Sequence, residues 1–170
     1  MKLQTLVTTF LLLSLIPALA GGKKPEPNII SFHEQGVQEE GAKMVFPVPV
    51  KGRQIYFRKS PAVTSKDVMA FRPFATGTGN GVTLQLNPVA ARRLNAITAQ
   101  AQGRWLLTMA NGRPVDAVII NAPVKDGMLV IWEGLHLVEI QRMSFQWPLI
   151  GEDQKSWKKR VKEMKKQKKK

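Results

Sequence analysis

Apolar and polar positions along the chain fall into three regimes. From Val7 through Ile16 the residues are apolar except for Thr8, Thr9 and Ser14. Residues 46–147 switch between alternating and helical patterns, and residues 155–170 are dominated by lysine. In the middle regime the pattern predicts a definite order of elements. Ile29 to His33 reads as a short first strand, and residues 35–42, polar with two glycines, as a loop. Phe46-Pro47-Val48-Pro49-Val50 reads as extended chain at a sheet edge or outside the sheet, because its prolines cannot donate ladder hydrogen bonds. Ile55-Tyr56-Phe57 is a strand core stopped by Ser60-Pro61. Thr64 or Ser65 can cap a short helix that runs to about Phe71 with Asp67 in its first turn. Residues 75–81 (ATGTGNG) read as a flexible loop, and Val82 to Leu86 alternates as a half-buried strand does.

The clearest helix opens at Asn87-Pro88, a good cap followed by the residue preferred at the first helical position. Ala90, Leu94, Ile97 and Ala101 form its core stripe, Arg92, Asn95 and Gln100 face water, and Gly103 ends it. Residues 105–110 and 113–120 flank Asn111-Gly112, the sequence of a type I′ hairpin turn. After a longer turn over 121–127, Met128 to Trp132 is continuously apolar, which predicts a strand covered on both faces. Gly134 breaks it. Residues 135–143 predict a last short helix with Leu137, Ile140 and Ser144 on one side. The order strand, helix, strand, helix, hairpin, strand, helix predicts an α+β fold, a mainly antiparallel sheet with helices packed on one face.

The ends of the chain change this picture in two ways. Residues 1–20 read as a secretory signal peptide: Lys2 precedes the apolar run, and Pro17 precedes Ala18-Leu19-Ala20, an A-x-A cleavage pattern. The run is too short, and too broken by Pro17, for a spanning helix of about 20 residues. The domain plan is then a signal peptide over 1–20, a polar leader and loop over 21–45, an α+β domain over 46–147 and a basic tail over 148–170. The net charge of +14 is concentrated in the tail, where residues 155–170 hold ten Lys/Arg against one Glu. The absence of cysteine excludes disulfides, thiolate metal sites and a cysteine nucleophile, and also the lipidated cysteine of a bacterial lipoprotein.

The strand GVTLQL, the helix NPVAARRLNAITAQAQG, the hairpin WLLTMANGRPVDAVIINAP and the closing KDGMLVIWEG together span residues 81–134. This stretch resembles the periplasmic head subdomain of the SecD/SecDF protein-export component. IYFRKSPAVTSKDVMAF looks like the leading strand and short helix of the same unit, so the likeness covers residues 54–143. It rests on structural residues. The resemblance implies the fold, a periplasmic setting and contact with extended polypeptide. The membrane spans and proton-relay carboxylates of that family have no counterpart in this sequence, so transport activity is not carried over.

Candidate chemistry is sparse. His33 and His136 stand far apart, outside metal-ligand spacing. Asp116, Asp126, Glu133 and Glu139 show no pairing, and Asp126-Gly127 is explained by turn chemistry. Residues 77–81 precede a strand, whereas a phosphate loop follows one. There is no G-x-S-x-G elbow. Trp105 and Trp132 read as core aromatics, with an exposed binding aromatic as the alternative reading. The expectation is a non-enzyme without metal or cofactor, with no small-molecule ligand and no specific nucleic-acid motif. Its expected role is a protein-binding or scaffold module of the envelope, contacting an envelope or secreted protein through Arg92, Arg113 and Trp132. The alternative is a binder of an anionic membrane surface or other polyanion through the tail. There Trp157, Val161 and Met164 fall at helical spacing among Lys158, Lys159, Arg160, Lys162, Lys165 and Lys166. A solvated charge run without a partner is the third possibility for the same residues.

Overall fold

The computed structural model describes residues 26–77 and 79–167. The signal peptide read over residues 1–20 lies outside them. Among the described residues no helix is long and apolar enough to cross a membrane.

Among the described residues, nine strands, all paired antiparallel, and three α-helices make an α+β fold. The strands are β1 (Ile30–Glu34), β2 (Val45–Val50), β3 (Arg53–Arg58), β4 (Val63–Thr64), β5 (Val68–Thr76), β6 (Gly79–Leu86), β7 (Trp105–Ala110), β8 (Arg113–Ile119) and β9 (Met128–Ile131). The helices are α1 (Pro88–Gln100), α2 (Leu137–Gln146) and α3 (Gln154–Gln167). The strands form a four-stranded sheet in the order β4-β1-β7-β8, a three-stranded sheet β5-β6-β9 and the hairpin β2-β3.

The alternation of β7 explains how these layers stack. Leu106 and Ala110 point into a core shared with Phe32, Phe71, Leu84, Ile131 and the helix residues Ala90, Leu94, Ile140 and Met143. Leu107 points the other way and packs with Val48, Val50 and Phe57. The four-stranded sheet is therefore covered on one face by the second sheet with α1 and α2, and on the other by the β2-β3 hairpin.

Several sequence expectations are corrected. The helix expected from Thr64 to Phe71 is only a 3-10 turn, Ser65–Asp67. The chain then extends as β5, because Val68 to Thr76 is recruited by β6 all the way to Thr76↔Gly79. For the same reason the loop expected over 75–81 is largely the end of a hairpin. On α1 the stripe runs through Ala90, Leu94 and Thr98, while Ile97 is only half-buried. Leu137, expected on the buried side of α2, is exposed; Glu139, Ile140 and Met143 are buried instead. Asn28, read as part of the polar leader, is 2% exposed. It donates from Nδ2 to the Glu139 carbonyl at 2.7 Å and from its backbone N–H to Gln146 Oε1 at 2.9 Å.

Candidate functional site

A strand at the edge of a sheet leaves one row of backbone N–H and C=O groups unpaired, and most edges are blunted. In this fold β2 carries Pro47 and Pro49, both exposed. The strand β4 is two residues long. The free side of β5 is covered at Phe71, whose N–H donates to Pro148 O and whose carbonyl accepts from Ile150 N, at 3.0 and 2.9 Å. The free side of β3 is met by Gly36, whose N–H donates to Tyr56 O at 2.9 Å. The strand β8 carries Pro114 near its start but has no such cover beyond it, and β9 has none. Each pairs with a single neighbour, β7 and β6 respectively, and their free edges face one another across a cleft of about 560 Å³.

The cleft is pinned at one end. Trp132 N donates to Asp116 Oδ2 at 2.7 Å, and Arg113 Nη1 donates to Gly134 O at 2.8 Å. Gly134 has φ +82 and lies so close to β8 that a Cβ there would sit 2.2 Å from Val115 O. Burial pushes the Asp116 carboxyl up, and the donors from Trp132 N and Ala117 N only partly offset this; the charge of Glu133 adds to the rise. Away from this pin no strand pairing joins β8 to β9. The walls are Ala117 to Asn121 on one side and Met128 to Val130 on the other, and the floor reaches Phe32 and Leu106 of the core. Thr98 Oγ1 closes the far end: it donates to Leu94 O at 2.8 Å and accepts from Val124 N at 2.9 Å, tying the 121–127 segment to α1.

Trp132 stands 55% exposed on the rim, against the expectation of a buried aromatic. Its strand is not covered on both faces, because burial alternates along Met128–Ile131. Its ring meets Phe74 edge-on at 5.8 Å. Phe74 is paired across β6 with Gly81, whose missing side chain leaves room for that ring; a Cβ there would lie 2.4 Å from it. Of the other two residues expected to contact a partner, Arg92 is exposed on α1, away from the cleft walls. Arg113 is occupied within the fold, donating to Glu139 Oε2 as well as to Gly134.

The tail residues form a helix fixed to the body. Asp153 caps α3, accepting from the backbone of Lys155 and Ser156 at 2.8 and 3.0 Å. Trp157, Arg160, Val161 and Met164 are half-buried, with Trp157 Nε1 donating to Ser144 O of α2 at 3.1 Å. Arg160 grips Glu152 with two hydrogen bonds of 2.8 and 2.6 Å, and its guanidinium holds the Glu152 carboxyl below the usual carboxylate range. Lys158, Lys159, Lys162, Lys165 and Lys166 are exposed.

Sequence reasoning missed the polar centre behind the cleft. Glu139, 5% exposed, accepts from His136 N, Asn111 Nδ2 and Arg113. Burial alone would raise its carboxyl, but these donors outweigh burial and hold it low. The capping relation of Glu139 to His136, three residues apart at a helix start, was the available signal. Nothing in the sequence linked either residue to Asn111. Among the described residues no three or more His, Asp or Glu side chains gather as a metal site would require.

No protein-family model matches the chain, and no curated protein matches it. Among solved structures the chain is similar to SecDF, described as a membrane component that enhances protein export. Identity is 21% and the TM-score 0.48, over 69% of this chain and 60% of that one. It is also similar to SecDF in its super-membrane-facing form, at 22% identity and a TM-score of 0.47, over 66% of this chain and 17% of that one. This chain thus spans less than two thirds of the length of either structure. The resemblance read from residues 81–134 is accordingly met by a structural likeness to SecDF over about two thirds of the chain.

Proposed function

We propose that this chain is an exported, non-catalytic protein-binding module of the cell envelope that takes an extended segment of a partner polypeptide into the β8–β9 cleft as an added strand. One observation carries the reading: the free edge of β9 and that of β8 beyond Pro114, which no proline, covering chain or extreme shortness blunts, flank the same cleft. An extended peptide finds there backbone donors and acceptors on both sides and apolar walls for alternate side chains. The half-exposed Val118 and Val130 line those walls, and the Trp132 ring stands at the rim. The envelope setting rests on the export signal read over residues 1–20.

The test is an NMR titration of the protein with unstructured peptides of alternating apolar and polar residues, up to about 1 mM, where even weak binding registers. Amide shifts concentrated in residues 117–122 and 128–132, and abolished by Val130→Glu, are expected. Shifts confined to other surfaces, or none with any peptide, would overturn strand addition. Recovery of the protein from the cytoplasm with residues 1–20 still attached would overturn the envelope setting.

A further inference from the structure

The lysines of α3 are not used by the fold. At about 100° per residue, Lys155, Lys158, Lys159, Lys162, Lys165 and Lys166 fall within one arc of about 120°. That arc is centred roughly 150° from the stripe of Trp157, Arg160, Val161 and Met164 that faces the body. All six lysines are exposed, and none of their side chains has a hydrogen-bond or ion-pair partner among the described residues. Glu163, the only acidic residue of the helix, lies outside the arc. Six like charges on one face repel each other and weaken an isolated helix. Their arrangement therefore has no structural return, and the helix carrying them is clamped in a fixed orientation by the Arg160–Glu152 pair and the Trp157–Ser144 bond.

We propose that this face is a docking surface for an anionic lipid membrane, held by charge alone. Charge complementarity requires an anionic partner, and two further features select a lipid surface. The arc spans about 16 Å of straight helix and holds only lysines, point charges that suit a plane of mobile headgroups. It contains no Arg, Asn or Gln, the side chains that read base edges or grip phosphate in a fixed geometry. Because Trp157, Val161 and Met164 are turned to the body, the helix lies on the headgroups without inserting. This differs from an amphipathic anchor, which buries its apolar face in the bilayer. The inference does not depend on the cleft.

The experiment is vesicle co-sedimentation of the protein. Phosphatidylcholine vesicles with about a third phosphatidylserine are compared with pure phosphatidylcholine, at about 0.05 M and about 0.5 M salt. Binding to the anionic vesicles only, and its loss at high salt, are expected. The triple variant Lys158→Gln, Lys159→Gln, Lys162→Gln should weaken binding roughly 100-fold, from about five-fold per lysine. Removing the same charge elsewhere, with Lys43→Gln, Lys66→Gln, Lys125→Gln, should change it little. Equal losses in the two triple variants would show that net charge, not this face, is responsible and would overturn the proposal. So would quenching of tryptophan fluorescence by brominated acyl chains, which would mean insertion, or tighter binding to duplex DNA than to the anionic vesicles.

Discussion

Arg113, at the start of β8, donates to the buried carboxylate of Glu139 on α2, so the strand that forms one wall of the cleft is tied by a charged pair to the helix behind it. The Glu139 side chain is 7% exposed and that of Arg113 37%. The pair is therefore asymmetric: the acid depends on its donors, while the base remains partly solvated.

Arg113→Met should cost about 1–3 kcal/mol, the range for leaving a buried acceptor short of a donor. It should not reach the value for a fully buried ion pair, because Arg113 is partly screened by water. The urea midpoint measures this. Because the folded state holds the Glu139 carboxyl low, its contribution is present at neutral pH. It is lost as pH falls below about 4.3 and through the folded value. Glu139→Gln should flatten that part of the stability profile, and an unchanged acid limb would assign it to other carboxylates.

Asn111 has two roles that substitution can separate. Its φ of 51 serves the hairpin turn. Its side chain accepts from Ile29 N at 3.0 Å and donates to Glu139 at 2.8 Å. If the turn were its whole purpose, Asn111→Gly would be neutral. The expected result is a loss of about 1–2 kcal/mol for Asn111→Gly and about 1 kcal/mol more for Asn111→Ala, which adds the left-handed backbone penalty. Thermal melts of the two variants decide the matter.

His33 is 7% exposed, with Nδ1 2.7 Å from the Arg58 carbonyl and Nε2 2.8 Å from Ser31 Oγ. A carbonyl can only accept, so Nδ1 carries the proton and Nε2 accepts from the serine. Burial lowers the pKa of this imidazole, and the bond to Arg58 opposes that only in part. The unfolded chain therefore takes up the proton first. Stability should be full above about pH 6.5 and fall as the solution is acidified below it. Urea titrations at about pH 7.5 and pH 5.5 should show the drop, and His33→Gln should remove it. A drop that persists in that variant would place the titrating group elsewhere.

Gly134 and Gly151 have similar backbone angles, φ +82 and +87, but different surroundings. Nothing lies within 4 Å of a Cβ at Gly151, whereas one at Gly134 meets the backbone of Val115. Gly151→Ala should cost only the left-handed penalty, about 1–2 kcal/mol. Gly134→Ala should cost more than about 3 kcal/mol and loosen the pinned end of the cleft, seen as faster hydrogen exchange at Trp132 N. Equal costs would mean that β8 yields easily at Val115.

Local features were legible wherever the chain solves a local problem. The Asn87-Pro88 cap, the Asn111-Gly112 turn, the alternation along β6 and the spacing of Trp157, Val161 and Met164 each follow from backbone geometry and capping chemistry within a few residues. Reading failed where distant chain decided the outcome. Asp67 follows a good cap and looks like the start of a helix. The long β6 partner outweighs that preference, and Asp67 instead closes a single turn by accepting from Thr64 N and pairs with Arg93. Trp132 looks like core by composition, yet it lies just past the end of β9, 55% exposed and with its N–H held by Asp116 of β8.

What the sequence determined by itself was the α+β class, the main helix, the hairpin and the charge of the tail, because hydrophobic period, turn residues and lysine content are local quantities. Only the tertiary structure decided that the sheets leave two edges facing a common cleft, that Asn28, Asn111, Arg113 and Glu139 meet, and which face of α3 is turned to water. Those outcomes depend on register and on burial against residues that in several cases lie more than eighty positions away, and no window along the chain contains both partners.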